Sequence, residues 1–191
     1  MTTWIEPGEG IPLTGTETFR GLDATVVEFW GYAMRDLRTN TTRGLLAEWL
    51  VARAVGATEV QPEWKEFDVR SPDGIRIEVK SSAYLQSWGQ ARHSTIRFGG
   101  LKARAWDPLT GEGEPSFNAD VYVFCVQTAQ VHASYDPLDV RQWDFYVLPV
   151  DVVQRIDQRS LGLRAVQAYA EAVPYEGLAD AVRAVSVPGV A

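Results

Sequence analysis

Two carboxylates and a lysine lie close together in the sequence, on either side of a short turn. The segment reads Asp68-Val-Arg-Ser-Pro-Asp-Gly-Ile-Arg-Ile-Glu78-Val-Lys80. Carboxylate oxygens are the ligands that hard divalent cations prefer. An ammonium group beside them can stabilise the negative charge that develops on a phosphate. These residue types at this spacing therefore suit metal-assisted hydrolysis of a phosphodiester bond.

The turn fixes the register of the predicted hairpin. Pro72-Asp73-Gly74 is typical of a three-residue hairpin loop, in which Pro presets the first position and Gly takes the left-handed one. A loop of this length places Asp68 directly opposite Glu78. The other pairs across the predicted hairpin are Ser71 with Ile75, Arg70 with Arg76 and Val69 with Ile77.

Side chains alternate along a strand, so the hairpin has two faces. Asp68, Glu78 and Lys80 share one face. The apolar side chains that we predict on the core-facing side are Phe67, Val69, Ile75, Ile77 and Val79. Two facing carboxylates destabilise a sheet, whereas a bound cation would turn their repulsion into coordination.

The pattern of an acid, any residue and a lysine is weak by itself. Roughly one match is expected in a chain of this length, and a second one, Glu63-Trp64-Lys65, has no turn-linked carboxylate before it. The ordinary interpretation of Glu78 and Lys80 is a solvated strand face with a surface ion pair. Asp73 lies at the tip of the turn and should point to solvent, so Asp68 is the candidate ligand.

A predicted helix over Thr42 to Val55 adds a third carboxylate. Its apolar residues recur with helical spacing, and Gly56 can end it. Glu48 is its one acid and has small and apolar neighbours three and four residues away. A carboxylate in such surroundings is costly unless it is paired or binds a metal. The alternative is an ordinary ion pair with Arg43 or Arg53.

Together these segments resemble the PD-(D/E)XK nuclease superfamily, which has the restriction-endonuclease-like fold, and in particular a bacterial branch of it. The matching residues run from about 40 to 150. They are Arg43-Gly-Leu-Leu-Ala-Glu48-Trp-Leu-Val-Ala, Asp68, Glu78-Val-Lys80-Ser-Ser-Ala-Tyr-Leu-Gln-Ser-Trp88, Ala119-Asp-Val-Tyr-Val-Phe-Cys125 and Trp143-Asp-Phe-Tyr-Val-Leu-Pro149. Phe67 stands where the superfamily motif often has a proline.

The resemblance implies a metal site. Asp68 and Glu78 would coordinate Mg²⁺, or Mn²⁺ in its place, together with the carbonyl oxygen of Val79. Glu48 would help to bind the metal or a water on it. The implied activity is that of a Mg²⁺-dependent nuclease acting on DNA, in restriction, repair or defence.

Two further roles follow from the same resemblance. Lys80 would orient or activate the attacking water, or stabilise charge on the scissile phosphate. Gln86 lies where some relatives carry a glutamine that contacts the metal or the nucleic-acid backbone; the alternative is an ordinary loop or helix glutamine.

The basic residues of the chain are concentrated around this motif. Residues 65–104 contain eight Lys and Arg against four Asp and Glu, whereas the rest of the chain contains ten against twenty-one. Such a segment predicts salt-dependent contacts to phosphates. The candidate nucleic-acid contacts are Arg43, Arg76, Arg92, Arg97 and Lys102. Ordinary surface charge is the alternative for each of them.

The predicted helices and strands indicate an α/β fold, with a mixed central sheet of four or five strands flanked by helices. We expect an irregular arm over residues 1–20, the nuclease-like domain over 21–160 and a C-terminal extension packed on the core over 161–191. Strands are predicted near 58–61, 65–71, 75–82, 120–127 and 145–148. Further helices are predicted at 24–37, 149–157 and 178–185.

The composition excludes several other classes of protein. The chain has 191 residues, 46% of them hydrophobic, and one cysteine, Cys125, in an apolar strand pattern that predicts a buried thiol. No apolar run is long enough to span a membrane, and no signal-peptide pattern is present, so a cytoplasmic location is expected. Only His93 and His132 occur, and their spacing does not suit a zinc site.

Two other functions remain open from the sequence. One is a catalytically inactive module that binds nucleic acid or protein and retains the nuclease fold. The other is a small-molecule phosphohydrolase that uses the same acids, which would need a closed pocket rather than an open basic cleft. Whether the chain forms a homodimer is also left open.

Overall fold

A computed structural model describes residues 10–58, 66–104, 106–107 and 111–186. The predicted strand at 58–61 lies almost entirely outside these residues, as do Glu63-Trp64-Lys65 and the first nine residues of the predicted arm. Residues 1–36 and 37–191 form two compact units. No helix in the described ranges is both long and apolar enough to cross a membrane.

Along the described residues, two α-helices precede a run of strands, and the other α-helices follow that run. The α-helices are α1 (Val26–Ala33), α2 (Asn40–Val55), α3 (Val150–Ile156), α4 (Leu163–Gln167) and α5 (Leu178–Ser186). The strands are β1 (Val69–Arg70), β2 (Arg76–Ala83), β3 (Arg97–Gly99), β4 (Trp106–Asp107), β5 (Gly111–Glu112), β6 (Val121–Gln127), β7 (Trp143–Pro149) and β8 (Ser160–Gly162).

In the first unit, α1 begins with a capping box. The Thr25 backbone N–H donates to Oε2 of Glu28 at 2.6 Å, which satisfies a donor that the helix start would leave free. The helix is shorter than the predicted 24–37. Of its predicted apolar face only Val26 is buried, while Val27 and Trp30 are exposed.

The central sheet of the second unit has four strands in the order β1-β2-β6-β7. β2 pairs parallel with β6, and the other two pairings are antiparallel. This sheet confirms the predicted α/β class with a mixed central sheet and flanking helices. Every residue of β6 is buried, as expected of a strand covered on both faces, and Cys125 within it is a buried free thiol, as predicted.

The predicted register of the β1–β2 hairpin is confirmed. Val69 pairs with Ile77 and Arg70 with Arg76, and the Gly74 N–H donates to the Ser71 carbonyl at 2.9 Å. Gly74 has a φ of +86°, a conformation that glycine adopts without a steric cost. The turn therefore holds the register that places the two acids near each other.

Each face of the sheet carries a hydrophobic cluster. The first cluster joins β2, β6 and β7 to α2 and α5 through Val79, Val123, Leu50 and Val182, among others. The second lies on the alternate side chains of β6, Tyr122, Phe124 and Val126, and includes Phe98, Leu161 and Val166. Both faces are thus covered by protein.

One detail of the predicted hairpin faces is wrong. Phe67 packs in the second cluster, whereas Val69, two residues later, packs in the first. Strand alternation fails here because β1 begins only at Val69, so Phe67 and Asp68 precede the regular strand.

Helix α2 ends as predicted but starts earlier. Oγ1 of Thr39 accepts from the Thr42 N–H at 3.2 Å, and Gly56 ends the helix at a φ of +74°. Ala47, Leu50 and Val51 are buried in the first cluster. Their packing fixes how α2 lies on the sheet, and with it the position of Glu48.

Candidate active site

Strand β2 carries the acid and the lysine at the centre of the sheet. Glu78 is 6% exposed, so the interpretation as a solvated strand face is wrong for this residue. Its Oε1 lies 2.5 Å from Nζ of Lys80. Glu78 and Lys80 pair with Tyr122 and Phe124 of β6, so their backbone is fixed by a fully buried neighbour strand.

Asp68 reaches the same place from the other side of the hairpin. Its Oδ2 accepts from the Val79 backbone N–H at 2.7 Å, and its own N–H donates to the Ile77 carbonyl at 3.1 Å. These bonds hold the carboxylate at the start of β1, next to Glu78. Asp73, by contrast, lies at the exposed turn tip, with Oδ2 3.8 Å from Nε of Arg183.

The three carboxylates interact electrostatically. Burial, together with the negative charges of Asp68 and Glu78, raises the pKa of Glu48 to about 7 against the partial offset of Lys80. Burial and the charge of Asp68 raise the pKa of Glu78, and burial raises that of Asp68 despite the Val79 hydrogen bond. Each acid is therefore held where its charged form is disfavoured.

A divalent cation would relieve this cost, and the donor set fits one. The available donors are carboxylate oxygens and the Val79 carbonyl, all of the hard type that Mg²⁺ and Mn²⁺ take. Among the described residues no three His, Cys, Asp or Glu side chains lie close enough together to share an ion directly.

The loop after β3 approaches Lys80 closely. Gly100 has a φ of +64°, and a Cβ built on it would lie 3.9 Å from Nζ of Lys80. The same glycine borders an open cleft of about 440 Å³. The other lining residues of this first cleft are Leu101, Lys102, Pro115, Asp157, Gln158 and Arg159. Two basic side chains thus line a space that starts beside the lysine.

A second cleft, of about 310 Å³, borders the continuation of β2. Its lining residues are Asn40, Arg43, Ser81, Ser82, Gln86, Trp88, Ser94, Thr95 and Arg97. Ser81 and Ser82 directly follow Lys80. The structure therefore places Arg43 and Arg97, two of the predicted nucleic-acid contacts, around one space.

Gln86 belongs to this second cleft. Its Oε1 accepts from Nη1 of Arg43 at 3.3 Å, and its Nε2 donates to the Ala83 carbonyl and to Oγ of Ser94. Its side chain is thus held by Arg43 and by the chain after β2. Arg43, in turn, does not form the ion pair with Glu48 that the sequence left open.

The remaining predicted contacts lie in different surroundings. Arg76 is held by Asp120 through a bidentate contact, with Nη2 2.5 Å from Oδ1 and Nε 3.1 Å from Oδ2. Arg92 is exposed on the loop before β3. Lys102 lines the first cleft, with Nζ 5.0 Å from the centre of the Phe117 ring. Their roles stay predictions.

Sequence reasoning missed three residues beside the site. Gly100 had a usable signal, because a Gly-Gly pair just before a lysine suggests a close backbone approach. The sequence around Arg159 and Trp88 carries no such signal, because the positions of these residues at the clefts depend on contacts between distant segments.

Most of the chain matches a known protein family. The family model described as bacteriophage T4 endonuclease IV matches residues 27–164, well over half of the chain. The chain therefore belongs to the bacteriophage T4 endonuclease IV family, a nuclease family. The matched stretch contains the three carboxylates, Lys80 and both clefts. A search of curated proteins finds no match.

Proposed function

We propose that the protein is a metal-dependent endonuclease of the PD-(D/E)XK type that hydrolyses phosphodiester bonds in DNA. The observation that carries the proposal is the buried carboxylate of Glu78, in contact with Lys80 and beside Asp68. A buried acid cluster of this kind costs stability, and groups with strongly shifted pKa values are concentrated at functional sites. The family assignment supports an endonuclease.

Asp68, Glu78 and the Val79 carbonyl would hold the ion, with Glu48 contacting it through water. Mg²⁺ is the proposed cofactor, and Mn²⁺ takes the same donors. Bound there, the cation supplies Lewis-acid stabilisation of the phosphate charge. The chain itself keeps the carboxylates in place through the Val79 N–H and the β2–β6 pairing.

Lys80 has the position of the group that acts on the scissile phosphate. Its ammonium is held by Oε1 of Glu78, and the lack of a side chain at Gly100 leaves space next to it. From there it can donate to a phosphate oxygen as charge develops, or orient the water that attacks in line. The water oxygen forms the new bond to phosphorus and releases its proton to solvent. The bond from phosphorus to the leaving oxygen breaks, and that oxygen takes a proton from solvent.

The two clefts supply a path for the substrate strand. Lys102 and Arg159 line the cleft at Gly100, and Arg43 and Arg97 line the cleft at Ser82. Phosphates on both sides of the scissile bond would then meet basic groups. This favours a polymer over a small phosphate ester, since a small molecule has nothing to place in the second cleft.

Cleavage assays with matched variants test the proposal. Plasmid and single-stranded DNA are incubated with wild type, Glu78→Gln, Lys80→Met and Asp73→Asn, in Mg²⁺, in Mn²⁺ and in EDTA. We expect cleavage by wild type with either metal, none in EDTA, and a loss of about 100-fold or more in the first two variants. The Asp73→Asn variant, which removes a carboxylate at the exposed tip of the same hairpin, should cleave DNA like wild type.

Two results would count against the proposal. Folded Glu78→Gln and Lys80→Met that cleave like wild type would exclude this site as the catalytic one. DNA binding without cleavage in any metal would favour the inactive module instead.

A further inference from the structure

A buried arginine in the second cleft has no acidic partner among the residues that the structure describes. Arg43 is 4% exposed, and its guanidinium donates to the Arg38 carbonyl at 3.0 Å, to Oδ1 of Asn40 at 2.6 Å and to Oε1 of Gln86 at 3.3 Å. All three acceptors are neutral. No carboxylate of the described ranges forms an ion pair with it. A guanidinium stays charged, so this charge is buried without a counter-charge from the described residues.

One donor of the same guanidinium is unused. Nε of Arg43 is buried and has no hydrogen-bond acceptor in the part of the chain that the structure describes. Burial also lowers the pKa of Arg43, which reflects the cost of keeping the charge out of water. A buried donor without an acceptor is uncommon, and a ligand with acceptor oxygens would satisfy it.

The surrounding side chains also offer donors. Oγ of Ser94 accepts from Nε2 of Gln86 at 3.2 Å and from Nε2 of Gln90 at 3.0 Å. Its own hydroxyl hydrogen takes part in neither bond and is therefore available to a ligand. Arg97, at the same cleft, is held by Oγ of Ser160 at 2.9 Å and adds a second guanidinium. The combination suits a phosphate group.

An aromatic side chain completes the cleft. Trp88 is 53% exposed, although it lies next to a polar space rather than an apolar one. An indole beside two arginines offers a stacking surface for a nucleobase. A simple anion such as a carboxylate would leave this surface unused.

The cleft also lies at the right distance from Lys80. Ser81 and Ser82 follow Lys80 on β2, and residues of an extended strand are about 3.3 Å apart. Ser82 is therefore roughly 7 Å along the strand from Lys80, so adjoining nucleotides of one strand can reach both places.

We propose that the second cleft is a nucleotide subsite, in which Arg43 and Arg97 bind the phosphate next to the scissile one and Trp88 stacks on the base of that nucleotide. This inference rests on the proposed nuclease function. The phosphate has two sources, an internal phosphodiester or a terminal phosphate, and both present the same oxygens to Arg43.

Oligonucleotide binding in EDTA tests the subsite without catalysis. Fluorescence anisotropy gives the Kd of labelled DNA for wild type, Arg43→Gln, Arg97→Gln and Trp88→Ala. The matched controls are Trp49→Ala, whose side chain is 58% exposed on α2, and Arg141→Gln, whose side chain is 84% exposed before β7. We expect each cleft variant to bind about tenfold more weakly and each control to bind like wild type.

Two further arms identify the bound group. An oligonucleotide with one abasic position beside the cleaved bond should bind wild type more weakly than intact DNA does. It should bind Trp88→Ala about as tightly as intact DNA does, because the missing base and the missing indole remove the same contact. Circular DNA without ends that binds as tightly as linear DNA indicates an internal phosphodiester. Tighter binding of 5′- or 3′-phosphorylated linear DNA indicates a terminal phosphate.

Failure of this inference and failure of the proposed function give different results. If wild type cleaves DNA while Arg97→Gln and Trp88→Ala bind like the controls, the subsite is wrong and the nuclease stands. If wild type binds and does not cleave, while those variants bind more weakly, the subsite stands without catalysis. Circular dichroism shows whether Arg43→Gln folds; if it does not, the two exposed variants decide.

Discussion

The acid cluster takes its chemical character from burial. A solvated carboxylate without hydrogen bonds or nearby charges has about the same pKa in the folded and unfolded protein, whereas Glu48 and Glu78 are held where ionisation is disfavoured. Near neutral pH and without metal, a fraction of the Glu48 and Glu78 side chains is protonated. Metal binding must therefore displace protons, so it should strengthen as the pH rises.

The pKa of Glu48 predicts how stability depends on pH. Its folded value of about 7 lies above its usual 4.5, so its contribution to stability is fully present below about 4.5 and is lost as the pH rises through 7. We expect metal-free wild type to lose stability between pH 5 and 8. In the Glu48→Gln variant, the free energy of unfolding should fall by about 1–3 kcal/mol less over this pH range than in wild type. Urea denaturation in EDTA at several pH values measures it.

The control for this experiment is Glu171→Gln, which removes an exposed carboxylate. It should follow the wild-type profile. Equal pH profiles for wild type and Glu48→Gln would show that Glu48 ionises normally in the folded protein.

At the level of elements, the loop after β3 approaches the proposed catalytic lysine. Gly100 and Gly74 both have positive φ, but only Gly100 faces Lys80; a Cβ at Gly74 would meet open space. The same substitution at the two glycines therefore distinguishes two effects of an added side chain: the strain in the backbone and the change in the space beside Lys80.

Valine at each glycine should give different results. Gly100→Val and Gly74→Val should each cost about 1–2 kcal/mol of stability, because a side chain disfavours this backbone conformation. Only Gly100→Val should also slow DNA cleavage, since its methyl groups enter the space beside Lys80. Thermal denaturation and single-turnover cleavage separate the two effects. Equal cleavage rates would mean that the space beside Lys80 is not used.

The elements also show what local sequence can predict. The register of the β1–β2 hairpin followed from three turn residues and from strand alternation, both of which are local. The face of Phe67 was wrong because alternation holds only inside a regular strand, and β1 starts at Val69. Arg76 shows a second limit: its partner Asp120 is 44 residues away, so the sequence around Arg76 carries no sign of the pair.

The same limit applies to the second cleft. Arg43 was a predicted contact, but its burial and its bond to Gln86 depend on how α2 packs against the chain after β2. Periodicity can place a residue on a helix face. It cannot show which side chain from another segment meets it there.

At the level of the whole molecule, charge is unevenly distributed. The chain carries a net charge of −7, yet residues 65–104 are basic. A strongly acidic remainder repels a polyanion, so productive contact should be confined to the basic segment and the few basic residues beside it. The proposed DNA contact would then be confined to one region of an acidic protein.

Salt dependence measures this contact. If Arg43, Arg97, Lys102 and Arg159 each neutralise one phosphate, the logarithm of the binding constant should fall with log salt concentration with a slope of about −3. Replacing Arg97 or Lys102 by Gln should reduce the slope by about one. Binding constants in EDTA from 50 to 300 mM salt measure the slope. A slope near zero would exclude phosphate contacts by these residues.

The mixed pairing of β2 has a consequence for the order of folding. The β1–β2 pair closes a three-residue turn, whereas β2 meets β6 only across the long connection from Ala83 to Val121. Local contacts form before distant ones because they close smaller loops. Asp68 and Glu78 therefore meet while still hydrated, and the arrival of β6 later removes Glu78 from water. Folding rates should then depend on pH mainly through this last docking step.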